Sequence, residues 1–220
     1  MARRDAGIDL EREFWEDGRV VVGIDEVGKG SWAGPLMVGA VVIPIGDRLP
    51  GVRDSKAMTE RARESIFEEL ADWCAHWSIG VVSATECDAL GMSAAQRLAC
   101  RRALEGLGVE VDVAISDGRW DFVSPLVPEV VMRVGADADS LSVASASVLA
   151  KVTRDREMRA LAHHHPGYSF QTNKGYPCHL HRAGLGWFGP SVEHRRSWAF
   201  MDSAVPWTGS PRLVAEARLF

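Results

Sequence analysis

Asp25 and Glu26 stand side by side at the end of an apolar run, Val20-Val21-Val22-Gly23-Ile24, and Val27-Gly28-Lys29-Gly30 follows at once. Neighbouring residues of a strand point to opposite faces. Two adjacent carboxylates can therefore serve one site only at a strand's end, where the glycines let the backbone turn. Further on, Asp117 precedes Gly118 at the close of a second apolar run, and Asp137 precedes a helical stretch that begins at Ser140. Acids recurring at strand ends and helix starts would repel one another on convergence unless cations neutralised them, and an all-oxygen ligand set suits Mg²⁺ or Mn²⁺. Two such ions about 3.5–4 Å apart serve phosphodiester hydrolysis, one activating water and the other stabilising the leaving oxygen. Each acid also has a plainer reading. Asp25 and Glu26 can close a strand, Asp117 can be a turn residue before Gly118, and Asp137 or Asp139 can cap the following helix.

The elements that must position these acids follow from periodicity. Val20 to Asp25 and Leu36 to Ile43 read as buried strands, and the short turn between them predicts an antiparallel hairpin, since a parallel return needs a long crossover. Thr59 to Trp73 has helical spacing, with Ile66, Phe67 and Leu70 on one side. A third strand spans His76 to Ser83, a short helix lies near Thr85 to Leu90, and a longer one runs from an N-capping Ser93 to about Leu107. Val111 to Ser116 and Val130 to Val134 are further strands. The helix from Ser140 to about Leu161 is rich in Ala and Ser at its start, which suits close packing on a sheet. The remainder is irregular, with short helices.

At 220 residues and 46% hydrophobic, the chain can bury a full core. No stretch approaches the roughly 18 apolar residues of a membrane span, and the N-terminus has no apolar signal core, so a soluble, cytoplasmic protein is expected. Cys74, Cys87, Cys100 and Cys178 have no C-x-x-C spacing and are expected to be reduced and mostly buried. The net charge is −5, yet residues 151 to 196 hold eight basic residues (Lys151, Arg154, Arg156, Arg159, Lys174, Arg182, Arg195 and Arg196) against three acidic ones, with six of the seven histidines nearby. That local excess fits a polyanionic partner, although charge-rich stretches are often only solvated faces.

In this order and spacing the motifs resemble the type 2 ribonuclease H family, and within it the bacterial ribonuclease HII group. The residues that carry the resemblance are Gly23 to Gly30 with Ala33-Gly34-Pro35, Asp54-Ser55-Lys56, Asp117-Gly118, Ser140 to Arg156, Pro166-Gly167-Tyr168, Lys174-Gly175-Tyr176 and His194-Arg195-Arg196-Ser197. The resemblance implies a ribonuclease-H-like α/β fold, a mixed five-stranded sheet flanked by helices, with a helical C-terminal segment. It implies hydrolysis of the RNA strand of RNA/DNA hybrids and cutting 5′ of single ribonucleotides in duplex DNA, leaving 3′-hydroxyl and 5′-phosphate ends. It assigns Asp25, Glu26, Asp117 and Asp137 to two catalytic Mn²⁺ or Mg²⁺ ions, with the division of ligands between the ions left open. Gly28, Lys29, Gly30 and Tyr176 fall to recognition of the ribonucleotide–DNA junction, where glycines let a backbone approach the 2′-hydroxyl; for Tyr176 the alternative is a buried ring. Lys56, Arg195 and Arg196 are candidate phosphate contacts, with plain surface charge as the alternative.

Two departures from the family pattern stand out. Gly-Lys-Gly replaces the usual Gly-Arg-Gly, so the turn lacks the bidentate fork of Arg. Asp139 is an extra acid two residues from Asp137, and spacing to the Ser140 block favours Asp137 as the ligand. The expected organisation is an extension over residues 1–19, a catalytic domain over 20–166 and a helical substrate-binding segment with tail over 167–220. A monomer without membrane contact is expected, and Leu213-Val214 and Leu219-Phe220 are too weak a signal for a clamp partner. Two rivals are a dinucleotide-binding oxidoreductase, disfavoured because the glycines fit G-x-G-x-x-G poorly and a strand follows them, and a non-catalytic nucleic-acid-binding module.

Overall fold

The computed structural model describes residues 5–53, 55–205 and 212. Asp54, Leu213, Val214, Leu219 and Phe220 lie outside the described residues. In chain order the elements begin with α1 (Asp9–Trp15), β1 (Val21–Val27), β2 (Leu36–Val42), α2 (Glu60–Trp73), β3 (His76–Val82) and α3 (Ala84–Leu90). There follow α4 (Met92–Gly106), β4 (Val113–Asp117), β5 (Glu129–Arg133), α5 (Ala136–Asp139), α6 (Leu141–His164), α7 (Phe170–Asn173), α8 (His179–Phe188) and α9 (Phe200–Ala204). They fall into two compact units. One contains residues up to Val27, Met37–Val81 and Gln96–Thr153; the other contains Gly28–Leu36, Val82–Ala95 and the chain from Arg154. The units interleave in sequence, whereas the division expected at residues 20 and 167 is linear.

The first unit is built on a five-stranded mixed sheet of order β3-β2-β1-β4-β5. The expected hairpin is present: β1 and β2 are antiparallel, with Asp25 opposite Gly39 and Glu26 opposite Val38. β4 lies parallel to β1 on its other side, and the last register pair is Ile24 with Ser116. β1 runs two residues past the expected end at Asp25, because pairing with β2 continues to Val27 and Met37.

The Ala/Ser-rich start of α6 packs as its composition implies. A Cβ on Gly23 would lie 2.2 Å from the Ser142 carbonyl carbon, and one on Gly39 would lie 2.6 Å from the Ala146 carbonyl oxygen. Only glycine admits that approach of helix backbone to sheet. Beside it Leu141, Ala144, Val148, Leu149 and Val152 join Val41, Ile43, Phe67 and Leu70 in the main apolar core.

α1 was not expected within residues 1–19. Leu10, Phe14 and Trp15 pack against Val21, Val113, Ile115, Ala136 and Val143. Glu11 is fully buried, and its Oε1 accepts from Ser140 Oγ at 2.6 Å, Ser142 N at 2.9 Å and Ser142 Oγ at 2.7 Å, satisfying donors at the start of α6. Thr59 caps α2 by accepting from Ala62 N, and Ser83 with Glu86 forms a capping box on α3. Ser93 is not the expected cap. α4 begins at Met92 with Ala95 N–H donating to the Gly91 carbonyl, so Ser93 lies inside the first turn.

The second unit has its own core of Ala33, Met158, Tyr168, Phe170, Leu185, Phe200 and Met201. Among the described residues no helix is long and apolar enough to cross a membrane. Cys74, Cys87 and Cys100 are buried, Cys178 is half-buried, and none is bridged. Burial pushes the Cys74 and Cys100 thiols up to about 12.

Candidate active site

Asp25 and Asp117 occupy equivalent places on adjacent parallel strands, one residue beyond the final pair of Ile24 and Ser116. Asp25 is 6% exposed. Its carboxyl is pushed up to about 7, first by loss of water, with Glu26 and Asp117 adding repulsion, while the Ser147 hydroxyl and Lys56 pull the other way. The Ser147 and Ser55 hydroxyls lie 2.8 Å apart. If the Ser147 proton goes to the Asp25 carboxylate, Ser55 must donate to Ser147, which fixes the direction of the chain.

Asp117 holds the next acid in place. Its Oδ1 accepts from Gly135 N at 2.7 Å and Ala136 N at 3.2 Å. α5 is a single four-residue turn, too short to persist without such outside partners. Asp137, in that turn, is 5% exposed, and Lys56 Nζ stands 3.6 Å from its Oδ2. Asp139 is exposed, and Arg133 holds it through Nε at 3.1 Å and Nη2 at 2.9 Å.

All four acids offer oxygen alone, the donor type of hard divalent cations. Among the described residues no three His, Cys, Asp or Glu side chains form a closed ligand cluster. Asp25, Glu26 and Asp117 are linked by their fields. The set fits a divalent cation on its electrostatics: Asp25 is a buried carboxylate whose ionisation two neighbouring carboxylates oppose, and a cation would reverse that penalty.

The glycine turn belongs to the second unit and contains two different glycines. Gly28 has φ of +87°, and a Cβ there would lie 2.3 Å from Arg154 Nε and 2.7 Å from the Pro35 carbonyl oxygen. Gly30 has no such need: a Cβ would meet nothing within 4 Å. The turn is held from inside by Arg154, fully buried, which donates to the Pro35 carbonyl at 2.8 Å, Ser31 Oγ at 2.8 Å, the Ala33 carbonyl at 3.1 Å and the Lys174 carbonyl at 2.9 Å. The same guanidinium lies 5.4 Å from the centre of the half-buried Tyr176 ring. Lys29 and Gly30 are exposed.

The expected phosphate contact through Arg195 does not fit its position. Arg195 is fully buried and donates to the Lys29 carbonyl at 2.9 Å and the Gly34 carbonyl at 3.2 Å, so it braces the turn. Burial lowers it to about 10, and it remains charged at neutral pH. Arg196 is half-buried, with its backbone N–H and that of Ser197 both donating to Asp88. Lys56 is exposed beside Asp137. Arg154 and Lys174 are also internal, so the expected excess over residues 151–196 shrinks at the surface to Lys151, Arg156, Arg159, Arg182 and Arg196 against Glu157 and Glu193. Ser147, Arg154, His181 and His194 were given no individual role from sequence, although Arg154 counts in the basic stretch and His194 stands in the quoted family motif. Ser147 lay in the quoted Ser140–Arg156 block, so its hydroxyl on the helix facing β1 was the available signal.

The dinucleotide rival fails on the fold, since the strand β2 follows the glycines. The model of the family described as Ribonuclease HII matches residues 22–200. Ribonuclease HII of Streptomyces avermitilis is 43% identical over 190 residues, covering 86% of this chain and 81% of the relative. That of Thermus thermophilus is 41% identical over 190 residues, covering 86% and 91%. Among solved structures, ribonuclease H2 from Pyrococcus horikoshii superposes with a TM-score of 0.70 at 28% identity, covering 84% of this chain and 96% of that one. Ribonuclease HII in a complex with PCNA from Archaeoglobus fulgidus gives 0.69 at 27% identity, covering 81% and 95%. With its mixed sheet and its acids in the matched span, the chain belongs to the ribonuclease HII family and is a hydrolase of the ribonuclease H class, an endonuclease.

Proposed function

We propose that this endonuclease hydrolyses the RNA strand of RNA/DNA hybrids and cuts 5′ of single ribonucleotides embedded in duplex DNA, leaving 3′-hydroxyl and 5′-phosphate ends. The observation that carries the catalytic part is Asp25, buried at the end of the β1–β4 ladder with its ionisation opposed by Glu26 and Asp117. Asp25, Glu26, Asp117 and Asp137 hold the divalent ions in this reading. When bound, two Mg²⁺ or Mn²⁺ ions supply water activation and charge neutralisation at the departing 3′-oxygen. Ser147 orients the Asp25 carboxylate, and Asp117 braces the turn that carries Asp137.

Specificity for the ribonucleotide falls to the Gly28-Lys29-Gly30 turn and Tyr176. Gly30 supports this because nothing in its surroundings requires glycine, which leaves an open backbone for the sugar edge and its 2′-hydroxyl. Arg154 ties both parts to one buried cation, so turn and ring act as one reader. Lys29 meets a phosphate as a point charge rather than a fork. Residues from Gly167 onward supply a gripping face, with Arg182 and Arg196 as its basic contacts. The chain acts as a cytoplasmic monomer, and no clamp partner is proposed.

A duplex with one ribonucleotide, a long hybrid and an all-DNA duplex, each incubated with Mg²⁺ or Mn²⁺, test the reading. The first two should be cut, the single site on its 5′ side. Folded protein that leaves both uncut, or that cuts the all-DNA duplex equally, refutes it.

A further inference from the structure

Behind Tyr176 lies a buried pair of histidines for which hydrolysis has no direct use. His181 is fully buried and His194 is 1% exposed, among the rings of Trp32, Tyr168, Phe170 and Phe200. Their Nε2 atoms are 2.9 Å apart. His194 Nδ1 receives the Ser191 backbone N–H at 2.9 Å, with Ser191 Oγ also at 2.9 Å. His181 Nδ1 lies 2.9 Å from the Tyr176 carbonyl oxygen.

The direction of every proton in this chain follows from its first link. A backbone N–H can only donate, so His194 Nδ1 accepts and the His194 proton sits on Nε2. That proton faces His181 Nε2, which must then accept. The His181 proton is left on Nδ1, where it is donated to the Tyr176 carbonyl. A positive charge on either ring would set two donors face to face, at His194 Nδ1 or between the two Nε2 atoms. Burial agrees with neutral rings: it lowers both histidines, His194 to about 3.

We propose that His181 and His194 are positioning residues for ribonucleotide recognition: a tautomer-locked relay from Ser191 that fixes the Tyr176 carbonyl and so aims its ring at the junction. The Tyr176 N–H is held by the Asn173 carbonyl at 2.9 Å, so both peptide groups flanking its Cα are pinned, and Arg154 faces the ring. The inference rests on the reading of Tyr176 as the reader of the junction.

The relay makes a distinction that simple packing does not. His181→Leu removes the donor to Tyr176, whereas His181→Asn keeps an N–H at the Nδ1 position. On a single-ribonucleotide duplex, His181→Leu should lower kcat by about tenfold or more, as expected when a group that positions the substrate is displaced. Affinity for the all-DNA duplex should hold, and His181→Asn should recover most of the rate. In a Tyr176→Ala background, His181→Leu should cost nothing further, because the two act through one group. Multiplying losses, or an Asn variant as impaired as the Leu variant, overturn the relay. If Tyr176→Ala itself loses rate and all-DNA affinity equally, the reading of Tyr176 fails first, and that result is distinct. Should the Leu variant not fold, ring ¹⁵N spectra of the wild-type protein decide: a proton on His181 Nδ1 and on His194 Nε2 at neutral pH is expected, and the opposite tautomers or a charged ring overturn the proposal.

Discussion

Arg133 holds Asp139 by two contacts to one oxygen, 3.1 Å from Nε and 2.9 Å from Nη2, while Asp137, two residues earlier, is buried beside Lys56. One acid completes an exposed ion pair and the other has its carboxyl inside the fold. Asp139→Asn should therefore retain near wild-type cleavage and lose at most about 1 kcal/mol of stability. Asp137→Asn should lower cleavage by orders of magnitude while staying folded. Rates for the two variants on one substrate check this, and reversed ranks would move the metal site to Asp139.

Gly28 and Gly30 should separate folding from function. Gly28→Ala forces a side chain into positive φ against Arg154 and Pro35, at a cost of about 1–3 kcal/mol or more. Gly30→Ala meets nothing in the protein, so its melting temperature should match the wild type while its cleavage of a single-ribonucleotide duplex falls. Thermal melts beside rates decide. A Gly30→Ala variant as active as wild type would remove that backbone from the recognition surface.

Arg195 and Lys29 should divide in the same way. Arg195→Met strands the Lys29 and Gly34 carbonyls inside the second unit and should cost about 2–4 kcal/mol. Lys29→Ala, at an exposed side chain, should cost at most about 1 kcal/mol and reduce the slope of log affinity against log salt by about one. Urea melts and binding across a salt series measure the pair. A reduced salt slope for a folded Arg195→Met would restore it as a phosphate contact.

The neutral histidine pair makes stability depend on pH. With its folded pKa lowered to about 3, His194 contributes stability that is complete above the unfolded value near 6.5 and is lost as pH falls from there toward 3. Over the whole window this is on the order of 5 kcal/mol. In metal-free protein Asp25, raised to about 7, has the opposite effect, adding stability as pH falls below 7. The histidine contribution is therefore read as a difference: the gap between wild type and His194→Gln should shrink steadily from pH 7 to pH 4.5. A constant gap would mean that His194 carries no such linkage.

Much of the fold was legible because its signals were local. The β-branched run before Asp25, the short link to Leu36 and the small residues after Ser140 each carry their meaning within a few positions, and the hairpin and the packed helix followed. As candidates the acids were legible by their places, Asp25, Glu26 and Asp117 in the last residues of their strands and Asp137 just ahead of the Ser140 helix. What escaped depends on partners distant in sequence: Glu11 meets Ser140, Arg154 meets Pro35 and Lys174, and His181 meets His194. The burial of Arg195 escaped for a related reason. Arginine is rarely buried, and nothing near it in sequence announces the two carbonyls that keep it inside.

The central claim, cation-assisted hydrolysis at Asp25, is tested most directly by the cleavage rate of a single-ribonucleotide duplex during a titration of Mg²⁺ or Mn²⁺ into chelator-treated protein. The wild type should be inert at the start and recover as the ion is added. Asp25→Asn should stay slower by orders of magnitude throughout, yet melt at an equal or higher temperature without metal, because the buried charge and its repulsion from Glu26 and Asp117 are gone. Full activity after exhaustive removal of divalent ions, or a wild-type rate in Asp25→Asn, would contradict it.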